Sequence, residues 1–130
     1  MKLDHIGIAV KDLEMARANY QKLGLEEAGR EELVAQKVEV CLFELGGTRI
    51  ELLWPLGEGP LAGFLERQGE GLHHLAIEVA DIEGELQRLR EAGVQLVEER
   101  PREGLGGSKI AFIHPKSMNG VLIELVERTG

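Results

Sequence analysis

The chain has 130 residues, 43% of them hydrophobic, a single cysteine and a formal net charge of −8. That length supports one real core but not two ordinary independent domains, and the acidic balance argues against a nucleic-acid surface, which needs a basic patch. Cys41 on its own excludes an intramolecular disulfide and a cysteine-based zinc cluster. No apolar run approaches the roughly 20 residues that span a bilayer, and a strand pattern beginning at Leu3 leaves no room for a signal peptide, so the cytoplasm is the expected compartment.

Taken in chain order, Leu3 to Val10 alternates cleanly, with Ile6, Ile8 and Val10 on one face and His5, Gly7 and Ala9 on the other. Asp12 is placed to cap a helix from Leu13 to Leu23, whose buried stripe is Leu13, Ala16, Tyr20 and Leu23 and whose end is Gly24. Residues 25–34 read as a weak strand and loop. Lys37 to Leu45 is a strand, and Gly46-Gly47 turns it back into Thr48 to Trp54. A loop from Pro55 to Pro60 leads into a short helix over Leu61 to Gln68. The order then repeats: a strand over Leu72 to Val79, a helix over Ile82 to Ala92, a short strand over Val94 to Glu98, the glycine-rich loop Gly104 to Gly107, and a closing hairpin of Lys109 to Ile113 and Val121 to Val126. Each half reads βαβββ, which predicts an α+β fold: one domain over residues 1–130 built from two modules, about 1–68 and 69–130.

Two motifs occur twice at nearly the same offset. Leu3-Asp4-His5-Ile6-Gly7-Ile8-Ala9 returns as Leu72-His73-His74-Leu75-Ala76-Ile77-Glu78, and Arg49-Ile50-Glu51-Leu52 returns as Leu122-Ile123-Glu124-Leu125. The pairing matches His5 with His74 and Glu51 with Glu124 and leaves His73 unmatched. If the halves fold alike and face each other, two imidazoles and two carboxylates converge. Such a set suits one divalent ion of borderline character: Co, Zn, Mn, Ni or Fe. By the same alternation the face opposite the helices carries His5, Gly7, Ala9, His74, Ala76, Glu51 and Glu124, small residues around ionisable ones, which describes a cavity.

Glu39 is assigned to that inner face together with Cys41 and Phe43, and there it is a candidate general base. Cys41 reads as a small core residue rather than a nucleophile, His73 as a neighbour of the ligand, and His114 as part of a turn. Lys109 and Lys116, close to the glycine-rich loop, suit an anionic ligand.

Three segments carry a family resemblance: Ile50-Glu51-Leu52-Leu53-Trp54-Pro55-Leu56, Gly71-Leu72-His73-His74-Leu75-Ala76, and His114-Pro115-Lys116-Ser117 with Gly120-Val121-Leu122-Ile123-Glu124-Leu125. Through them the chain resembles the vicinal oxygen chelate superfamily and, within it, the methylmalonyl-CoA epimerases. The resemblance implies metal ligation by His5, Glu51, His74 and Glu124. It also implies Glu39 and Glu124 as proton carriers on opposite sides of the substrate carbon, and Lys116 and Ser117 near an acyl-CoA substrate. A homodimer is expected on the same ground, while the acidic charge balance and the lack of a long apolar run predict no nucleic-acid or membrane partner. The competing readings are a glyoxalase I-type lactoylglutathione lyase, which would need a glutathione site, and a metal-free binding protein of the same fold.

Overall fold

The computed structural model describes residues 1–128. Their contacts form two compact units, one of residues 5–73 and one of residues 1–4 together with residues 74–128. The strands and helices are β1 (Lys2–Ala9), α1 (Leu13–Lys22), β2 (Glu26–Leu33), β3 (Val38–Leu45), β4 (Thr48–Pro55), α2 (Pro60–Gln68), β5 (Gly71–Glu78), α3 (Ile82–Glu91), β6 (Arg102–Glu103), β7 (Lys109–Ile113) and β8 (Ile123–Glu127). No helix among the described residues is long and apolar enough to cross a membrane.

In the unit of residues 5–73, β2, β3 and β4 form an antiparallel meander, and β4 pairs in parallel with β1. The β3–β4 hairpin is closed by Gly46 and Gly47, both at positive φ (53° and 89°), which glycine adopts without a steric penalty. Helix α1 starts at Asp12, whose side chain accepts the Met15 N–H at 3.1 Å. Its buried face, Leu13 and Ala16, packs with Val10, Cys41, Phe43 and Leu52, and Tyr20 and Trp54 close the edges. The expected stripe fails at its last member. Leu23 is 70% exposed because the helix stops there, and Leu25, beyond the positive-φ Gly24, folds back onto the core instead. The weak strand-and-loop reading of residues 25–34 is also corrected. β2 is a regular strand carrying one bulge between Glu27 and Gly29; it has few apolar residues to mark it, and its glutamates alternate between exposed (Glu26, Glu32) and half-buried (Glu27, Glu31).

The other unit repeats the plan. β5 pairs in parallel with β8, β8 with β7, and β7 with the two-residue β6. Helix α3 begins at Asp81, which accepts the Gly84 N–H at 3.2 Å, while Glu127 from β8 accepts the Ile82 N–H at 2.9 Å. Two acceptors thus satisfy the first turn, where the helix dipole also favours negative charge. Asp81→Ala is expected to cost about 1 kcal/mol, measured as a lowered thermal midpoint with an unchanged far-ultraviolet spectrum. Ile82 and Leu86 pack on Val79, Ala111, Ile113 and Leu125. The strand expected over Val94 to Glu98 is not present. That segment makes a single bridge, Leu96 to Ile113, because the Glu98 side chain rather than its backbone takes the Phe112 N–H at 2.9 Å. Strand pairing with β7 resumes only at Arg102.

Candidate active site

The helix-side clusters contain Ile8, Val10, Ile50 and Leu52 in one unit and Ile77, Val79, Ile123 and Leu125 in the other. Strand alternation therefore sends the residues between them to the opposite sheet face. There each unit builds the same small constellation.

In the first unit, β1 and β4 run in register with Gly7 opposite Glu51, and His5 stands two residues before that glycine. In the second, β5 and β8 place Ala76 opposite Glu124, and His74 stands two residues before that alanine. The residue opposite each glutamate is thus a small one, Gly7 in the first unit and Ala76 in the second. His5 Nδ1 lies 3.2 Å from Glu51 Oε2, and His74 Nε2 lies 3.0 Å from Glu124 Oε1. All four residues are buried, Glu51 at 2% exposed and Glu124 at 5%. Arg49 adds a second contact to Glu51 Oε2 at 3.1 Å.

Taking a carboxylate and an imidazole out of water together costs several kcal/mol unless something offsets it. A divalent ion would do so. Two ligand atoms bound at about 2.1 Å and at right angles lie about 3 Å apart, which the nitrogen-to-oxygen separations in both units match. The donor set fits the group in chemistry and in spacing.

Glu39 is not on this face. In the β3–β4 register Glu39 stands opposite Trp54, Cys41 opposite Leu52 and Phe43 opposite Ile50, whereas Glu51 stands opposite Leu42. Cys41 and Phe43 pack under α1, so Glu39 shares the helix side with them. Its carboxylate receives Arg30 Nε at 3.0 Å and a second Arg30 nitrogen at 2.7 Å, and Arg30 also reaches Glu14 of α1 at 3.1 Å. With Arg17 bridging Glu14 and Glu27, these side chains tie α1 to β2 and β3 in one ion network. The hydrogen bonds it donates to Glu27 and then Glu14 hold the Arg17 guanidinium more firmly protonated than usual. The register brings two β2 carboxylates to the Glu51 face, Glu26, paired with Glu44 and exposed, and Glu31, paired with Val40 and half-buried, of which Glu31 is the more enclosed.

Burial, followed by the charge of Glu27, pushes the Cys41 thiol above its ordinary pKa, which fits an inert core residue. His73 meets Phe64 of α2 edge-to-face at 4.8 Å. His114 Nδ1 accepts the Lys116 N–H at 3.0 Å and so shapes the turn. Within it Ser117 Oγ accepts the Gln95 N–H at 2.9 Å, and the Lys116 side chain is exposed.

Residues 4–112 match the family model described as Glyoxalase/Bleomycin resistance protein/Dioxygenase superfamily. An ethylmalonyl-CoA/methylmalonyl-CoA epimerase of Cereibacter sphaeroides is 44% identical over 128 residues, 95% of this chain and 96% of that one. The crystal structure of methylmalonyl-CoA epimerase from Mycobacterium tuberculosis superposes with a TM-score of 0.94 at 41% identity, over 99% of this chain and 89% of that one. A methylmalonyl-CoA epimerase in complex with methylmalonyl-CoA and NH4+ superposes equally well (TM-score 0.94) at 34% identity, over 99% and 95% of the two chains. Sequence motifs, fold and relatives agree: the chain belongs to the Glyoxalase/Bleomycin resistance protein/Dioxygenase superfamily and, within it, to the methylmalonyl-CoA epimerases.

Proposed function

We propose that this protein inverts methylmalonyl-CoA at the carbon between its thioester and its carboxylate, and that it does so with one divalent ion held jointly by His5, Glu51, His74 and Glu124. The observation that carries the reading is the twice-built, buried histidine–glutamate pair, with nitrogen-to-oxygen separations of 3.2 and 3.0 Å, in a chain whose relatives are epimerases. Bound there, the ion would supply positive charge that stabilises the negative charge developing on the substrate oxygens as the carbon acid loses its proton.

The chain's own residues carry the proton. Inversion requires a proton to leave one face of the carbon and another to arrive on the opposite face, so two carriers suit it better than one. Glu124 serves one face. Glu39 lies on the wrong side of its sheet and is bound by Arg30, so the second role is assigned to Glu31, which the register puts on the Glu51 face. Lys116, exposed on its turn, suits the anionic groups of a coenzyme A ester, and Ser117 keeps a hydroxyl hydrogen to donate. We assign the active form to a homodimer of this single domain.

The test is an assay of each methylmalonyl-CoA epimer with protein stripped by chelator and then reconstituted. Inversion that disappears on stripping and returns with a divalent ion supports the reading. Undiminished inversion by the stripped protein, or turnover of methylglyoxal with glutathione in place of the coenzyme A ester, overturns it. Running ethylmalonyl-CoA alongside measures how much room the pocket leaves for the longer alkyl group.

A further inference from the structure

The inner face of the second unit holds a chain of contacts that ends on His74. Glu98 uses both its oxygens: Oε1 accepts the Phe112 N–H at 2.9 Å, and Oε2 forms an ion pair with Arg102 Nε at 3.1 Å. Arg102, brought to this face by its pairing with Ile110, sets its guanidinium over the Phe112 ring at 5.6 Å from the centroid. Phe112 stands opposite Glu124 in the β7–β8 register, and its ring meets the His74 imidazole edge-to-face, with centroids 5.7 Å apart and planes at 87°. His74 in turn points Nε2 at Glu124.

We propose that Phe112 is a positioning residue that sets the plane of the His74 imidazole, and that Glu98 and Arg102 lock Phe112 for that task. Three physical facts support this. An imidazole rotates about two side-chain torsions, and the lone pair on its nitrogen is usable by an ion only when the ring plane contains the ion. The contact with Glu124 fixes one atom of the ring but not the plane. A near-perpendicular aromatic contact fixes the plane, because such pairs favour the edge-to-face arrangement. Phe112 is itself held at both ends, its backbone by Glu98 and its ring by the cation of Arg102. The Phe112 side chain has no polar atom, so its action on the imidazole is one of shape. It explains why the segment before β6 gives up strand pairing: the Glu98 side chain occupies the place where a backbone acceptor would otherwise stand.

The proposal rests on the metal reading above, and the experiment separates the two. Cobalt(II) is titrated into metal-free wild-type protein and into Phe112→Leu, Phe112→Tyr and Glu98→Gln, with affinity taken from competition against a chelator and geometry from the visible absorption bands. Phe112→Leu is expected to bind cobalt at least about tenfold more weakly, with altered bands, and Glu98→Gln to lose affinity in the same direction. Phe112→Tyr, which restores the ring, is expected to behave as wild type. Wild-type affinity and spectrum in a folded Phe112→Leu overturn the proposal. If the wild-type protein binds no cobalt, the metal reading fails, and the positioning role is then judged on the metal-free protein. There the His74 ring signals in a long-range ¹H–¹⁵N correlation spectrum should lose their ring-current shift in Phe112→Leu and keep it in Phe112→Tyr. Signals unmoved by Phe112→Leu overturn the proposal in that case as well.

Discussion

His74→Ala is expected to strip the protein of its divalent ion and to lower epimerisation by about 10³-fold, since the charge stabilisation lost is of the kind that single donors in other active sites supply at 10²–10³-fold each. His73→Ala, one residue earlier, is expected to leave metal content unchanged. The two side chains leave β5 on opposite faces, His74 towards Glu124 and His73 towards Phe64 of α2. Removing His74 also leaves Glu124, 5% exposed, without its imidazole, and breaking a buried pair costs about 3–5 kcal/mol. Metal content therefore has to be compared at a temperature where both variants are folded, as judged by near-ultraviolet circular dichroism. Glu124→Gln provides the isosteric control. It keeps the shape and an oxygen ligand but cannot carry a proton, so turnover should fall further than metal content does. Equal metal loss from His73→Ala and His74→Ala would show that the repeat register behind the site is wrong.

The parts of the fold that were legible in the sequence are those governed by local chemistry. Asp12 before Leu13 and Gly24 after the last turn delimit α1 because a cap and a positive-φ stop are needed there whatever the helix packs against. Gly46-Gly47 announces the β3–β4 hairpin for the same reason. The duplicated His-x-small pattern opposite a glutamate was legible because the two halves check each other, and β1–β4 and β5–β8 do form the equivalent parallel pairs. What alternation alone could not decide is which face of β3 turns inward. Both its faces are apolar, Val38, Val40 and Leu42 on one and Cys41 and Phe43 on the other, so alternation alone does not distinguish the inner face from the helix side that Glu39 occupies. The missing signal lay in the turn. A two-residue hairpin loop with Leu45 opposite Thr48 leaves Leu42 facing Glu51 and sends Glu39 to Trp54. The facing of Glu31 is less legible, because it follows from the register with Leu33 opposite Val38, which is set by the irregular Val34–Gln36 connection and not by any hairpin signal.

Glu31→Gln and Glu39→Gln therefore form the second decisive pair. Glu31→Gln is expected to slow inversion by 10²–10³-fold, within the usual range of about 10²–10⁴ for a lost general acid or base, without reducing bound metal. Glu39→Gln should invert at close to the wild-type rate. It weakens one link of the Arg30 network, whose partly exposed charges are worth about 1 kcal/mol or less each, so its effect should appear as a small, salt-dependent loss of thermal stability. Isotope exchange distinguishes a missing base from a generally damaged site. In D₂O the wild-type protein, using two carriers that exchange with solvent, should place deuterium in the inverted product. Glu31→Gln retains Glu124, so it should still wash deuterium into the one epimer whose proton Glu124 removes, while almost no inverted product forms. A Glu31→Gln protein that inverts normally, or a Glu39→Gln protein showing exchange without inversion, would return the second base to Glu39 and require that strand β3 present its other face to the substrate.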